Sequence, residues 1–284
     1  MKKMRKPLAL LLALALALSL AACGGKDKDS GSSEPGPSGS GSASSDNVYR
    51  TLYSSEVTTL NYLITGNTNE LSIAANVVDC LVEYDSLGNV EPALAESWEQ
   101  NEDATVWTFH IRKGVKWVDK DGKEVADVTA HDWVSSARYA CDANNDSATF
   151  YTFSDVVTGA DEYYDWTAYQ LALKNAKDGT DEEGNPVKII TNSDGEEEIL
   201  EEVPEATLDG IGVKALDDYT LEFTLTKPRP YFLSMVSFGP YMPVYGAFLE
   251  ECGDKFGTSN EYLLYCGAFI LSDYQPQVQR VLTK

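Results

Sequence analysis

Residues 107–138 constrain the fold of this chain more than any other part of its sequence. Trp107, Phe109 and Ile111 alternate with polar residues, which is the period-two pattern of a β-strand with one apolar face. The segment Asp-Lys-Asp-Gly at residues 119–122 predicts a tight turn, because Asp accepts local hydrogen bonds and Gly adopts positive φ. This part of the chain therefore predicts strands joined by a short turn.

A helix is predicted to follow, beginning at Thr129. Thr129 and Asp132 have the S/T-x-x-D spacing of a capping box, and an acidic residue in the first turn is favourable. Apolar residues then continue at helical spacing, namely Trp133, Val134, Ala137 and Cys141. Strands and helices thus alternate, which predicts a mixed α/β fold.

The first 22 residues have the pattern of a secretory signal peptide. An apolar run over residues 8–22, shorter than the roughly 20 residues that span a bilayer, follows a basic segment with Lys2, Lys3, Arg5 and Lys6. The run ends in Leu-Ala-Ala-Cys, which resembles a lipobox, where Cys23 becomes diacylated. An ordinary Ala-x-Ala cleavage site with an incidental Cys23 is the alternative. The lipobox predicts an extracytoplasmic protein that is lipid-anchored to the cell membrane through Cys23.

Residues 23–47 are predicted to be a lipid-anchored flexible linker. Their composition is mostly Gly, Ser, Pro, Lys and Asp, so they bury too little apolar surface to offset the entropy of ordering.

The charge of the chain bears on its partners. Its formal net charge is −23, and removal of the signal with its four basic residues takes this to −27. Such acidity argues against binding to nucleic acid and against electrostatic adhesion to anionic lipid.

Cysteines and histidines do not indicate a metal site or an active site. The cysteines other than Cys23 are Cys80, Cys141, Cys252 and Cys266. No two of them have the C-x-x-C spacing that is typical of a zinc site. A disulfide between Cys252 and Cys266 is the first pairing to examine, and buried free thiols are the alternative. His110 and His131 belong to no G-x-S-x-G or H-E-x-x-H motif, so an enzyme is not predicted.

Three longer runs of residues point to one family. They are W-T-F-H-I-R-K-G-V-K-W at 107–117 with V-T-A-H-D-W-V at 128–134, G-N-V-E-P-A-L-A-E-S-W at 88–98, and G-V-K-A-L-D-D-Y-T-L-E-F-T-L at 212–225. These runs resemble the signature of extracellular solute-binding protein family 5. That family comprises the oligopeptide-, dipeptide- and nickel-binding subunits of ABC importers.

The resemblance implies a type II periplasmic-binding-protein-like fold that is incomplete, with the second lobe absent. It implies that residues 48–78 and 246–284 are parts of the first lobe. Residues 79–245 would be the extra small domain of the family. Alternation predicts a first strand at residues 48–53, and the family pattern implies another strand at 265–271.

The resemblance also implies where a ligand binds. The family's cleft-lining loop that pairs with ligand backbone corresponds to Gly66, Asn67, Thr68 and Asn69. The alternative for this loop is a plain connection to a helix that Asn69 caps. A cleft-facing aromatic residue of the family corresponds to Phe150 or Tyr151, for which ordinary core packing is the alternative.

The function implied is that of the substrate-binding lipoprotein of an ABC importer. It would capture oligopeptides and deliver them to the membrane permease subunits, without a cofactor. Members of the family also bind nickel, haem or sugar, so another solute is an alternative. A truncated receptor fragment that does not bind is a further alternative, because the remaining binding residues of the family have no position in residues 1–284.

Overall fold

The structure, a computed structural model, describes residues 47–53 and 55–284. The predicted signal peptide, Cys23 and most of the predicted linker lie outside the described residues. Leu52–Lys284 form one compact unit. The division of this unit into a first lobe and an extra small domain stays a prediction.

The predicted first strand at residues 48–53 is wrong, because these residues adopt no regular secondary structure. Alternating side chains satisfy only one requirement of a strand. The other requirement is a ladder of backbone hydrogen bonds to a neighbouring strand, which local sequence does not specify.

The helices that the structure describes are mostly short. The α-helices are α1 (Thr68–Val77), α2 (His131–Ala140), α3 (Ala160–Asn175), α4 (Phe232–Met235) and α5 (Gly246–Cys252). Single 3₁₀ turns lie at Ala143–Asn145, Phe150–Thr152, Leu208–Gly210, Gly239–Tyr241, Gly253–Lys255 and Asn260–Tyr262. No helix among the described residues is long and apolar enough to cross a bilayer.

The strands form several small antiparallel sheets. Those of the first half are β1 (Val82–Tyr84), β2 (Val90–Pro92), β3 (Ala95–Gln100), β4 (Val106–Ile111), β5 (Lys116–Val118) and β6 (Glu124–Asp127). Those of the second half are β7 (Lys177–Thr180), β8 (Pro186–Thr191), β9 (Glu197–Ile199), β10 (Val213–Asp217), β11 (Thr220–Thr224), β12 (Ile270–Gln275) and β13 (Gln279–Thr283).

A four-stranded sheet with the order β10-β11-β4-β3 lies at the centre of the core. Strand β4 alternates buried and half-buried side chains, so the strand predicted at Trp107 and Phe109 is confirmed. In the register of β4 with β11, Trp107 lies opposite Phe223 and Phe109 lies opposite Leu221. The apolar side chains of both strands therefore share one face.

Aromatic rings fill the space against that face. The ring centroid of Phe232 on α4 lies 5.2 Å from that of Phe223 and 5.8 Å from that of Tyr241. Edge-on and tilted ring pairs at this spacing add to the stabilisation from burial alone. Two polar groups of this region are also satisfied, since Trp133 Nε1 donates to the Tyr241 carbonyl at 2.9 Å and Tyr241 Oη donates to the Thr152 carbonyl at 2.7 Å.

Four hairpins use the same turn chemistry. In the turn between β1 and β2, Asp85 Oδ1 accepts hydrogen bonds from the amides of Leu87 and Asn89, both at 2.8 Å. Equivalent side-chain bonds organise the turns at residues 119–123, 181–185 and 192–196. The fourth residue of each turn is a glycine at φ between 79° and 87°, namely Gly88, Gly122, Gly184 and Gly195. The turn predicted at residues 119–122 is thus confirmed.

The capping box predicted at the start of α2 forms only in part. Asp132 Oδ2 accepts the amide of Thr129 at 2.9 Å, as the box requires. However, helix α2 begins at His131 rather than Thr129, and no side chain caps it. The same Asp132 oxygen also accepts from Trp117 Nε1 at 2.9 Å, so this side chain joins the helix to β5. Burial raises the pKa of Asp132 to about 6, against the opposing effect of these two hydrogen bonds.

The remaining elements differ in detail from the predictions. After α3, the strands form a three-stranded sheet with the order β7-β8-β9. The strand predicted at residues 265–271 begins only at Ile270. Tyr265 instead forms a single β-bridge with Val118, with both backbone hydrogen bonds at 2.9 Å. One bridge is enough to fix the position of Tyr265 but does not extend into a ladder.

Candidate functional site

The loop before α1 is held in shape by its own side chains. The Asn67 side chain accepts a hydrogen bond from the Asn69 amide at 3.0 Å, so Asn67 and not Asn69 is the cap of the helix. The Thr65 hydroxyl accepts from the Asn67 amide, also at 3.0 Å. Asn69 Nδ2 in turn donates to the Ser55 hydroxyl. These bonds fix the backbone of residues 65–69 without any help from a ligand.

Glu70, which sequence reasoning did not single out, anchors this loop to the preceding segment. Its Oε1 accepts from the Thr58 amide and hydroxyl, both at 2.7 Å, and from the Thr59 amide at 3.2 Å. Its other oxygen accepts from the Thr65 hydroxyl. Burial of Glu70 acts to raise its pKa, but these hydrogen bonds outweigh it and hold the pKa below its ordinary value.

The two stretches predicted to bind ligand lie next to each other. The Ala148 amide donates to the Ile64 carbonyl at 2.9 Å, and the Ser147 hydroxyl donates to the Leu63 carbonyl at 2.9 Å. A Cβ added at Gly66 would lie 3.9 Å from Thr149 Cγ2, which is ordinary van der Waals contact. The fold thus brings the loop at residues 66–69 against the segment that leads into Phe150 and Tyr151.

The two candidate aromatic residues have different surroundings. Phe150 is half-buried, and its ring stacks on that of Tyr164 with centroids 4.0 Å apart and planes 12° apart. One face of Phe150 is therefore occupied by α3. Tyr151 is 68% exposed, so its ring is accessible from solvent. Tyr151 is consequently the better placed of the two to stack on a bound molecule.

The exposed backbone of the loop offers groups for hydrogen bonding. Gly66, Asn67 and Thr68 are exposed. Within residues 47–53 and 55–284, neither the amide nor the carbonyl of Gly66 has a hydrogen-bond partner. An exposed donor and acceptor on one rigid residue can pair with the backbone of an extended chain.

Two surface grooves lie elsewhere on the molecule. One of about 570 Å³ lies beside the turn between β10 and β11, and one of about 430 Å³ lies beside α2. None of the predicted ligand-binding residues lines either groove. His110 lines the first groove, 4.0 Å from Glu99, and His131 lines the second, 3.3 Å from Asp218. His110 is half-buried and His131 is exposed, and each lies beside a single carboxylate.

The acidic residues at positions 196–198 and 201–202 are exposed to solvent. Across the part of the chain that the structure describes, no three His, Cys, Asp or Glu side chains are grouped so that they could hold a metal ion.

A family model described as "Bacterial extracellular solute-binding proteins, family 5 Middle" matches residues 89–284. The chain belongs to this family. The resemblance found in its sequence motifs is thereby confirmed.

Similar proteins agree with this assignment. The chain is 33% identical over 229 residues to the oligopeptide-binding protein SarA of Streptococcus gordonii, covering 80% of this chain and 29% of SarA. An oligopeptide ABC transporter substrate-binding domain from Bacillus anthracis superposes with a TM-score of 0.61 at 27% identity, over 81% of this chain and 36% of that one. Listeria monocytogenes OppA bound to peptide superposes with a TM-score of 0.59 at 25% identity, over 78% and 35%.

The mixed helix and strand architecture is that of periplasmic oligopeptide-binding proteins, as predicted. The chain spans 29% of the length of the streptococcal relatives that it matches.

Proposed function

We propose that this chain captures oligopeptides outside the cytoplasm, as the substrate-binding component of an ABC importer that delivers them to permease subunits. The observation that carries the proposal is the exposed backbone of Gly66, which lies against the segment that leads into the exposed Tyr151. The names of the relatives support peptide as the ligand class, since the streptococcal proteins are oligopeptide-binding proteins.

Backbone pairing suits a receptor that must accept many sequences. Every peptide carries the same amides and carbonyls, so a loop that pairs with them does not select side chains. An exposed aromatic ring then adds contact area with little dependence on sequence, because a flat ring packs against aliphatic and aromatic groups alike. We assign ligand backbone pairing to Gly66, Asn67, Thr68 and Asn69, and stacking to Tyr151, with Phe150 as the second aromatic candidate.

The proposed site gives a ligand only a few backbone hydrogen bonds and one ring contact. Each net hydrogen bond contributes about 0.5–1.5 kcal/mol, and association itself costs at least several kcal/mol. We therefore expect peptide binding by this chain with a Kd on the order of millimolar.

Peptide binding can be measured by NMR, which detects weak complexes. Titration of the ¹⁵N-labelled chain with mixed tri- to pentapeptides is expected to shift the amide signals of Gly66, Asn67 and Tyr151. The variant Tyr151→Ala should raise the Kd about two- to tenfold, which corresponds to loss of one ring contact. Tyr84→Ala is the matched control, because Tyr84 is also exposed but lies on the β1–β2 hairpin.

Shifts confined to other surfaces would contradict the proposed site. An equal loss of affinity in Tyr84→Ala and Tyr151→Ala would also contradict it. Binding of nickel, haem or a sugar at the same amides, with no response to peptides, would retain the family role but replace the ligand class.

We also propose that a lipid on Cys23 anchors the protein to the cell membrane. The support for this is the sequence Leu-Ala-Ala-Cys at the end of the apolar run. The variant Cys23→Ala is expected to leave the protein unprocessed or to release it from membranes, because no acyl chain can then be attached. Partition between detergent and water measures this, with Cys252→Ala as a control that should stay in the detergent phase. Detergent partition unchanged by Cys23→Ala, with normal processing, would refute the anchor.

A further inference from the structure

Arg280 on β13 binds a residue near the start of the described chain. Its Nη2 atom donates a hydrogen bond to Glu56 Oε1 at 2.8 Å. Its Cζ atom lies 3.8 Å from the centroid of the Tyr53 ring, so the cation also packs on an aromatic face. The Arg280 side chain is only 11% exposed. More than any other contact, its hydrogen bond holds the pKa of Glu56 below the ordinary value of 4.5, so this carboxylate is charged at neutral pH.

Residues 55–59 form a backing segment for the candidate ligand-binding loop. The Ser55 hydroxyl accepts a hydrogen bond from Asn69 Nδ2. The Thr58 amide donates to the Glu70 carboxylate at 2.7 Å. The residue that the arginine binds lies between these two contacts in the sequence, so a contact that fixes this residue also steadies the loop.

The hairpin that carries Arg280 is fixed to the other end of α1. The Phe269 amide donates to the Asn76 carbonyl at 3.0 Å, directly before β12 begins. Leu271 on β12 is fully buried in the core. On β13, Arg280 lies opposite Tyr274 of β12 in the register of the hairpin. The hairpin therefore presents the guanidinium group from a fixed position.

These contacts form a closed circuit around α1. The start of the helix reaches the backing segment through Asn69 and Glu70. Its end reaches the β12–β13 hairpin through Asn76. Arg280 joins the hairpin to the backing segment. Loss of the arginine would weaken the circuit where the hairpin meets the backing segment, and the loop would be less firmly held.

We propose that Arg280 is a positioning residue, which fixes the backing segment and thereby holds the loop at residues 65–69 in the conformation that pairs with a ligand. The inference rests on the proposed function for what the loop binds, whereas the positioning itself is a property of the chain without ligand. Arginine suits this role, because its planar guanidinium group binds a carboxylate and packs on a ring at the same time.

Loss of positioning lowers the apparent affinity of the loop for its ligand. A ligand that binds only one conformation has its Kd raised by the inverse of the fraction of molecules in that conformation. We expect Arg280→Gln to leave the loop in its pairing conformation in about a third of the molecules, which raises the Kd for peptides about threefold. Arg280 is not among the residues assigned to contact the ligand, so the contacts themselves are unchanged.

Amide hydrogen exchange without peptide measures the positioning directly. The amides of Thr58, Asn67 and Asn69 report on it, because each donates a hydrogen bond to a side chain of the loop or of Glu70. We expect Arg280→Gln to speed their exchange about three- to tenfold, while the amides of β4 keep their rates. Unchanged exchange at the three amides would overturn the proposal. An equal increase at β4 would also overturn it, because global stability would then be what was lost.

Two further variants separate the ion pair from other effects. Arg138→Gln is the matched control, because Arg138 Nη2 also lies 2.8 Å from a carboxylate, that of Asp209. It should leave the loop amides unchanged. Arg280→Lys keeps a cation beside Glu56 and should restore most of the protection that Arg280→Gln loses. Loop changes in Arg138→Gln as large as those in Arg280→Gln, or no rescue by lysine, would contradict the assignment.

A double-mutant cycle tests whether Arg280 acts through Glu56. Glu56→Gln removes the charge but keeps an oxygen that can accept from the Val57 amide. Because the two side chains form one pair, the double variant Glu56→Gln/Arg280→Gln should exchange no faster at the loop than Arg280→Gln alone. Additive increases would show that the two residues act separately and would refute this route.

Peptide titration connects the positioning to binding. With mixed tri- to pentapeptides, the Kd should rise about threefold in Arg280→Gln and stay unchanged in Arg138→Gln. Faster loop exchange with an unchanged Kd would refute a role for Arg280 in binding. If the unsubstituted chain bound no peptide although exchange changed as expected, the proposed function would fall and the positioning of the loop by Arg280 would stand.

Discussion

Replacement of Trp107 by alanine is expected to destabilise the fold by about 3–5 kcal/mol, as a large-to-small change in a packed core. Trp107 is only 3% exposed. Its ring lies against two other aromatic rings, with centroid distances of 6.4 Å to Phe109 and 5.9 Å to Phe232. Alanine would leave a cavity between the central sheet and α4, which the rigid β4–β11 ladder cannot close. Unfolding in guanidinium chloride, followed by tryptophan fluorescence and circular dichroism, measures the loss.

The variant Trp107→Phe tests whether the loss of side-chain volume or the loss of the indole N–H destabilises the fold. Among the described residues, Trp107 Nε1 has no hydrogen-bond partner, so loss of this N–H removes no bond within the protein. We expect Trp107→Phe to cost much less than Trp107→Ala. A native unfolding midpoint for Trp107→Ala would show that the stretch at residues 107–138 does not have the organising role inferred for it.

Removal of the Glu70 carboxylate is expected to cost about 1.5–3 kcal/mol, the range for hydrogen bonds to a charged group. Glu70 is 3% exposed and accepts four hydrogen bonds from three threonines, namely Thr58, Thr59 and Thr65. In Glu70→Ala the donors of exposed Thr58 can bind water instead, but the hydroxyl of buried Thr65 loses its acceptor. Chemical denaturation at pH 7 measures the effect.

The pH dependence of Glu70 has a definite sign. Its pKa in the folded state lies below its ordinary value of 4.5. The stability that it contributes is therefore fully present above pH 4.5 and is lost as the pH falls through the folded pKa. Glu70→Gln, which keeps the shape but not the charge, should differ most from the unsubstituted chain at pH 7 and least near pH 3. A difference that is constant over this range would show that the charge of Glu70 does not stabilise the fold.

The parts of this fold that sequence predicts well are those that depend on local pattern. Alternation at Trp107, Phe109 and Ile111 predicted β4, since each buried side chain is two residues from the next. The turn at residues 119–122 was equally predictable, because its hydrogen bonds join residues no more than four apart.

Predictions failed where distant residues decide the outcome. Residues 48–53 have the side-chain pattern of a strand, but no such pattern specifies the neighbour that a strand requires. Tyr265 pairs with Val118, which is 147 positions away in the sequence, so the local run around Tyr265 could not indicate a single bridge.

The candidate site shows the same division. Family motifs placed residues 66–69 and residues 150–151 near a ligand, and the fold brings the two segments together through residues 147–149. Glu70 was missed, although its spacing of five residues from Thr65 lies within the reach of a sequence pattern. Its contacts with Thr58 and Thr59 are the ones that identify it as an anchor, and those depend on how the chain folds back.

The strand order of the central sheet also determines how much stability the fold loses when the connection between β4 and β11 changes in length. Strands β4 and β11 are neighbours in the sheet, and Thr220 pairs with His110. The residues between these two positions therefore form one long connection. The entropic cost of closing such a connection grows only with the logarithm of its length, so doubling the length adds about 0.6 kcal/mol to the free energy of closure. The three-stranded sheet β7-β8-β9 lies wholly within it. Related chains can therefore lengthen or shorten that sheet at small thermodynamic cost while the pairing of β4 with β11 stays in register.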